Sequence, residues 1–169
     1  MIFDRDAVVT GAQTVLYGVK GVDWQDDPNL EGTPERVARA YREMLRGHYE
    51  DFTEILDKRF PADGYDEMIV KTGINTIGMC PHHLLPIRYN VSIGYIPSDS
   101  GYVVGISKIV RLASHLSARL VLQEQLTIDI ADALESGLKP IGVGVVIVGS
   151  HGCETYRGVL MPDSLTTTS

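Results

Sequence analysis

Apolar residues recur at three- and four-residue steps along the first part of the chain. Val8, Ala12, Val15, Leu16 and Val19 share one face if residues 7–20 are helical, and Gly21 supplies an end. The stretch Asp23-Trp24-Gln25-Asp26-Asp27-Pro28-Asn29 breaks the stripe and predicts a loop. A second stripe, Val37, Ala40, Tyr41, Met44 and Leu45, follows Thr33 and Pro34. Thr33 is expected to cap this helix, Pro34 suits its first position because no amide hydrogen is lost there, and Gly47 should stop it.

Beyond a mixed segment around Phe60-Pro61-Ala62-Asp63-Gly64 the period changes to two. Ile87, Tyr89, Val91, Ile93 and Tyr95 alternate with Arg88, Asn90, Ser92 and Gly94, the pattern of a half-buried strand. Residues 68–79 are its expected partner, with the connection at 80–86. Ser107 is expected to cap a helix carrying Ile109, Leu112 and Leu116, and a further helix carries Leu122, Leu126, Ile130 and Leu134 before Gly137. Residues 143–148 and 156–161 read as a closing strand pair joined through Gly149-Ser150-His151-Gly152-Cys153. The expected order is two helices, then strand, strand, helix, helix, strand, strand: an α+β domain with a helical extension before it, and no fixed-period repeat.

Composition narrows the class. A chain of 169 residues with 44% hydrophobic and 22% charged positions can bury a core and has no disordered or fibrous character. The apolar run 141–149 is far short of the roughly 20 residues a membrane helix needs, so no membrane partner is expected. The amino terminus lacks a basic flank followed by an apolar stretch, which makes the cytoplasm the expected compartment. Fifteen basic against 22 acidic residues leave a net charge of −7, which argues against nucleic acid as partner and requires any anionic ligand to find a local basic cluster. In a reducing compartment, metal binding or catalysis by Cys80 and Cys153 competes with a disulfide.

Cys80-Pro81-His82-His83 is the densest group of potential metal ligands, and thiolate with imidazole is a donor set that Zn2+ favours. Cys80 and His83 would face opposite ways in a flat strand, so a shared ion requires a turn between them, for which Pro81 is suited. Cys153, in another strand loop, is the candidate third ligand. Three protein ligands would leave one position for water, and His82 and His151 would remain as unligated neighbours able to move protons. The plainer reading, two unrelated buried cysteines, stays open. His48 and His115 have no neighbouring ligand candidates and receive no role.

A second constellation is basic: Arg36 and Arg39 on the Pro34 helix, Lys108 and Arg111 near the start of the Ser107 helix, and Arg157 beyond Cys153. Lys108 and Arg111, three apart at a helix amino-terminal end, suit a phosphate group, although each alone reads as a solvated charge. Glu124, after Gln123, either favours its helix dipole or accepts the paired N1–H and 2-amino donors of a guanine edge.

These residues fall into motifs that resemble the GTP cyclohydrolase I family: Thr33-Pro34-Glu35-Arg36-Val37-Ala38, Cys80-Pro81-His82-His83, Gly94-Tyr95-Ile96-Pro97, Gly105-Ile106-Ser107-Lys108-Ile109, Gln123-Glu124-Gln125-Leu126-Thr127, His151-Gly152-Cys153 and Arg157-Gly158-Val159, in order over about residues 5–169. The resemblance implies a tunnelling fold (T-fold), in which antiparallel strands from several subunits form a barrel with helices outside and two pentameric rings stack as a homodecamer. On it, residues 1–65 form the amino-terminal helical extension and 66–169 the catalytic domain. By position, Cys80, His83 and Cys153 match zinc ligands, His82 and His151 proton-transferring histidines, and Ser107 a residue assisting the sugar steps. Glu124 matches the guanine anchor, Gln123 beside it is a further expected substrate-binding residue, and Lys108, Arg111, Arg157, Arg36 and Arg39 match the triphosphate and ribose contacts. The implied reaction is zinc-dependent hydrolysis of GTP at C8 of guanine, with release of formate and rearrangement to 7,8-dihydroneopterin triphosphate. Two departures stand out. Pro81 occupies a position where the family usually has Glu, and the chain ends at Ser169 where relatives continue, so fewer oligomer contacts are expected. A relative that stops at the formamido intermediate and a non-catalytic zinc-binding ring protein are the alternatives.

Overall fold

A computed structural model describes residues 1–98 and 102–169. Helices α1 (Arg5–Lys20) and α2 (Thr33–Met44) pack on each other at the amino-terminal end. The main sheet follows from the two-residue alternation: β2 (Ile69–Met79) pairs antiparallel with β3 (Pro86–Ile96), and β3 with β5 (Gly142–His151). Ile87, Tyr89, Val91, Ile93 and Tyr95 of β3 are all buried, while Asn75 and Asn90 on the opposite face stay exposed and bond to each other at 3.0 Å.

Against the apolar face lie α3 (Ile106–Ser117) and α4 (Gln123–Leu138), whose Ile109, Leu112, Leu116, Leu126, Ile130, Leu134 and Leu138 complete one core. Burial of such side chains is worth roughly 1.5–3 kcal/mol each, which is what fixes both helices on the sheet. A small two-stranded sheet joins β1 (Arg59–Pro61) to β4 (Tyr102–Val104), an element that the mixed sequence around Phe60 did not reveal. No helix of the described residues is long and apolar enough to cross a membrane.

Several expectations are corrected. Residues 156–161 form no strand. After β5 the chain makes a helical turn, α5 (Gly152–Thr155), and Gly158 at φ 65° and Leu160 at φ 52° then place left-handed backbone where a ladder would need extended residues. The strand that pairs with β5 is β6 (Thr166–Thr168), giving the order β2-β3-β5-β6; three β-branched threonines suit that edge. The expected loop at 23–29 contains a short 3-10 turn, Val22–Asp26, that buries Trp24. Neither expected cap is one. Gly32, at φ 66°, caps α2, so Thr33 lies inside the helix and its hydroxyl accepts from Arg36 at 2.7 Å. Gly105 caps α3, making Ser107 its second residue. Helix α4 runs through Gly137 to Leu138, because Leu56 packs where a larger residue at 137 would have its Cβ, only 2.7 Å from Leu56 Cδ1. Finally, α1 buries none of its residues: Val15 and Val19 of its apolar stripe are 64% and 78% exposed.

Candidate metal centre

The β2–β3 connection is a tight turn closed by backbone bonds from Leu84 N to Cys80 O and from Cys80 N to Leu85 O, both 2.9 Å. It turns the chain between Cys80 and His83, as a shared ligand role requires, and brings Cys80 Sγ to 3.9 Å from His83 Nδ1. Strand β5 pairs Ile87 with His151, which carries the β5–α5 junction to the same end of the sheet. Cys153 arrives there on the first turn of α5. The donor atoms of Cys80, His83 and Cys153 all lie within 4.8 Å of one another.

Zinc–sulfur bonds of about 2.3 Å and zinc–nitrogen bonds of about 2.0–2.1 Å place tetrahedral ligand atoms about 3.5–3.8 Å apart, so this donor set fits one such ion with little movement. Both cysteines are free thiols. Burial pushes the Cys153 thiol above its ordinary range and the neighbouring Cys80 pushes it further, a repulsion that a shared cation would reverse.

Other expected residues gather around this centre. His82 lies exposed in the same turn, its ring edge-on to His83 with centroids 6.3 Å apart. Arg157 Nη1 donates to His83 Nε2 at 3.1 Å, placing one guanidinium at the rim. His151 Nε2 is 2.8 Å from Oε1 of Gln123, the first residue of α4, and Glu124 follows with its side chain exposed. Gln123 itself is buried, and its amide is taken up by protein partners.

Tyr89 belongs to this neighbourhood as well, although the sequence pattern showed it only as a core residue. Its ring lies edge-on to His151 at 6.4 Å, and its buried hydroxyl has no hydrogen-bond partner among the described residues. Burial, then the charges of Cys80 and Glu124, push its phenol well above the ordinary tyrosine range.

The remaining basic residues are not brought here within one chain. The carboxyl end of α3 is the end near the centre: Ser117 Oγ meets Thr76 Oγ1 at 2.8 Å, and Met79 N, next to Cys80, lies 3.4 Å from Arg119 O. Ser107 and Lys108, with Arg111 one turn on, therefore lie toward the far end of that helix, up to about 15 Å away along its axis at 1.5 Å per residue. Arg36 and Arg39 are exposed on α2, and Arg39 lines a separate cleft of about 480 Å³ with Arg5, Arg42 and Tyr49. Another concavity, about 620 Å³ between Phe52, Leu56, Leu112, Arg119 and Asp129, contains none of the expected site residues.

An antiparallel α+β fold with a two-cysteine, one-histidine cluster at adjoining strand ends defines a class of protein with a candidate metal site, one whose three side chains could hold an ion and leave a coordination position for water. Comparison with known proteins narrows that class. The family model described as GTP cyclohydrolase I matches residues 13–169. The GTP cyclohydrolase 1 of Corynebacterium glutamicum (strain R) is 42% identical over 170 residues, covering 99% of this chain and 84% of its own length. That of Mycobacterium bovis (strain BCG / Pasteur 1173P2) is 42% identical over 99% of this chain and 82% of its own, and that of Chlorobaculum tepidum 42% over 98% and 75%. The crystal structure of the archaeosine synthase QueF-Like in the apo form aligns with 62% of this chain and 91% of its own at a TM-score of 0.41 and 16% identity, a partial likeness. This chain belongs to the GTP cyclohydrolase I family, and its α+β architecture is the tunnelling fold of that family.

Proposed function

We propose that the protein hydrolyses GTP at C8 of guanine, releases that carbon as formate and delivers 7,8-dihydroneopterin triphosphate. The observation that carries this reading is the convergence of Cys80, His83 and Cys153 from two strand junctions, with His82, His151, Glu124 and Arg157 around them. Bound by those three ligands, Zn2+ supplies Lewis-acid activation of water at near-neutral pH.

The chain's own residues do the rest. Glu124 is free to accept the N1–H and 2-amino hydrogens of guanine as a pair, which orients the purine. His82 gives a proton to the ring nitrogen that leaves C8, and His151 assists the second hydrolytic step that frees formate. Arg157, Lys108, Arg111, Arg36 and Arg39 neutralise the triphosphate and contact the ribose, and Ser107 assists the later sugar steps. Pro81 leaves His82 without the neighbouring carboxylate usual in the family.

Lys108 and Ser107 sit about a helix length from the metal ligands of their own chain, so a complete site needs them from a neighbouring copy. The uncovered apolar stripe of α1 and the eleven-residue edge strand β2 favour the same conclusion, because an open edge of that length pairs readily with another chain. The reading therefore includes a homo-oligomeric barrel, a decamer of two pentameric rings, working in the cytoplasm where both thiols stay reduced. Residues 1–65 serve as its helical extension and 66–169 as its catalytic domain.

Incubation of the purified protein with GTP tests the function. Formate together with neopterin fluorescence after oxidation is the expected result. A formamido nucleotide without formate would point to a variant that stalls at the formamido stage, formate without neopterin to one that stops before the rearrangement, and unchanged GTP with zinc-loaded protein would contradict the enzyme reading.

A further inference from the structure

We propose that Gln123 is a positioning residue that holds His151 as its Nε2–H tautomer, and that strand β6 holds Gln123 in turn, leaving Nδ1 as the ring nitrogen free to work on substrate. The inference rests on the assignment of His151 to proton transfer and goes beyond it by naming the working atom and what fixes it.

The hydrogen-bond partners decide the orientation of the amide. Gln123 Nε2 lies 3.0 Å from Ile147 O and 2.9 Å from Thr166 O. Carbonyl oxygens only accept, so that end must be the NH2 and the other the carbonyl oxygen. The oxygen faces His151 Nε2 at 2.8 Å. It too can only accept, so the imidazole must carry hydrogen on Nε2, and in the neutral ring the lone pair is on Nδ1.

Strand β6 completes the arrangement. Thr127 Oγ1 gives its hydrogen to Gln123 O at 2.9 Å, so in the 2.7 Å pair with Thr168 the hydroxyl of Thr168 is the donor. Thr168 Oγ1 keeps a lone pair toward Gln123 Nε2, 3.2 Å away. The space is provided as well: a Cβ on Gly149 would lie 2.1 Å from Gln123 Oε1 and 3.2 Å from His151 Nε2, so only glycine there admits the contact. Gln123 is 2% exposed and its donors are committed within the chain, which makes it a support for the histidine rather than a contact for guanine.

Solid-state NMR of zinc-loaded protein labelled with 15N in the histidine rings, at about pH 8, reads the tautomer directly. Subtracting the His151→Asn spectrum assigns the signal. The expected result is a protonated Nε2 and a bare Nδ1 in the natural protein and loss of that preference in Gln123→Met, which removes the acceptor. With GTP, Gln123→Met should lower kcat about 10- to 100-fold at nearly unchanged KM. Gly149→Ala, which displaces the same contact without altering either partner, should change the tautomer likewise and serves if Gln123→Met fails to fold. Hydrogen on Nδ1 in the natural protein, an unchanged tautomer in both Gln123→Met and Gly149→Ala, or a raised KM at constant kcat would overturn the inference. If the natural protein fails to release formate, the proposed reaction falls while the NMR result still decides the tautomer.

Discussion

His115 illustrates how one side chain ties stability to pH. It lies buried on α3 with its ring against Phe52 at 5.2 Å, and its Nε2 has no hydrogen-bond partner among the described residues. Burial holds its pKa below the ordinary histidine value; Glu50 and Asp51 oppose that, and Arg46 and Arg119 reinforce it. The unfolded chain therefore binds this proton more readily than the folded one, and stability must fall as pH drops through and below about 6.5. His48 adds to the trend, since burial and Arg119 lower it also and its Nε2 accepts from Leu120 N at 2.8 Å. Thermal melts between pH 8 and 5.5 should show the decline, and His115→Gln should flatten part of it; an unchanged slope in that variant would remove His115 as the cause. Tyr89 offers a second test. Its hydroxyl is buried without a partner, so Tyr89→Phe should leave stability equal or raise it by about 1 kcal/mol, read from urea unfolding. A loss of more than about 1 kcal/mol would mean that the hydroxyl has a structural partner.

At the level of elements, the ends of α4 carry the clearest consequence. Lys139 follows the helix at φ 49°, a left-handed position that costs a side-chain-bearing residue about 1 kcal/mol or more relative to glycine. Lys139→Gly should stabilise the protein by about 0.5–1 kcal/mol, reduced by the extra freedom glycine has when unfolded. A lower melting temperature would refute that cap. The strongly periodic elements were legible in the sequence: β3 from its alternation, α3 and α4 from their leucine and isoleucine stripes, and the turn at Cys80–His83 from the geometry a shared ion imposes. What was hidden depended on partners far along the chain. Thr166–Thr168 becomes a strand only because β5 offers an edge, and Arg59–Pro61 only because Tyr102–Val104 returns beside it. The cluster of Cys80, His83 and Cys153 was legible because thiol and imidazole are rare and chemically specific. The commitment of Gln123 to His151 was not, since it exists only once α4, β5 and β6 meet.

Across the whole molecule, one chain brings Cys80, His83 and Cys153 together but leaves Lys108 and Arg111 toward the opposite end of α3, so the proposed site draws on a neighbouring copy. Lys108→Ala and Cys153→Ala should each be nearly inactive alone. Unfolded together in equal amounts and reassembled, they should regain about a quarter of the natural rate, because random pairing makes that fraction of shared sites intact. No recovery in oligomers shown to be mixed would place both residues in a single-chain site. The central claim is the metal centre itself, and X-ray absorption at the zinc edge of the purified, zinc-loaded protein tests it most directly. Two sulfur neighbours at about 2.3 Å with nitrogen or oxygen neighbours at about 2.0–2.1 Å are expected, falling to one sulfur or to loss of the metal in Cys153→Ala. A zinc shell of nitrogen and oxygen alone, unchanged by that substitution, would contradict it.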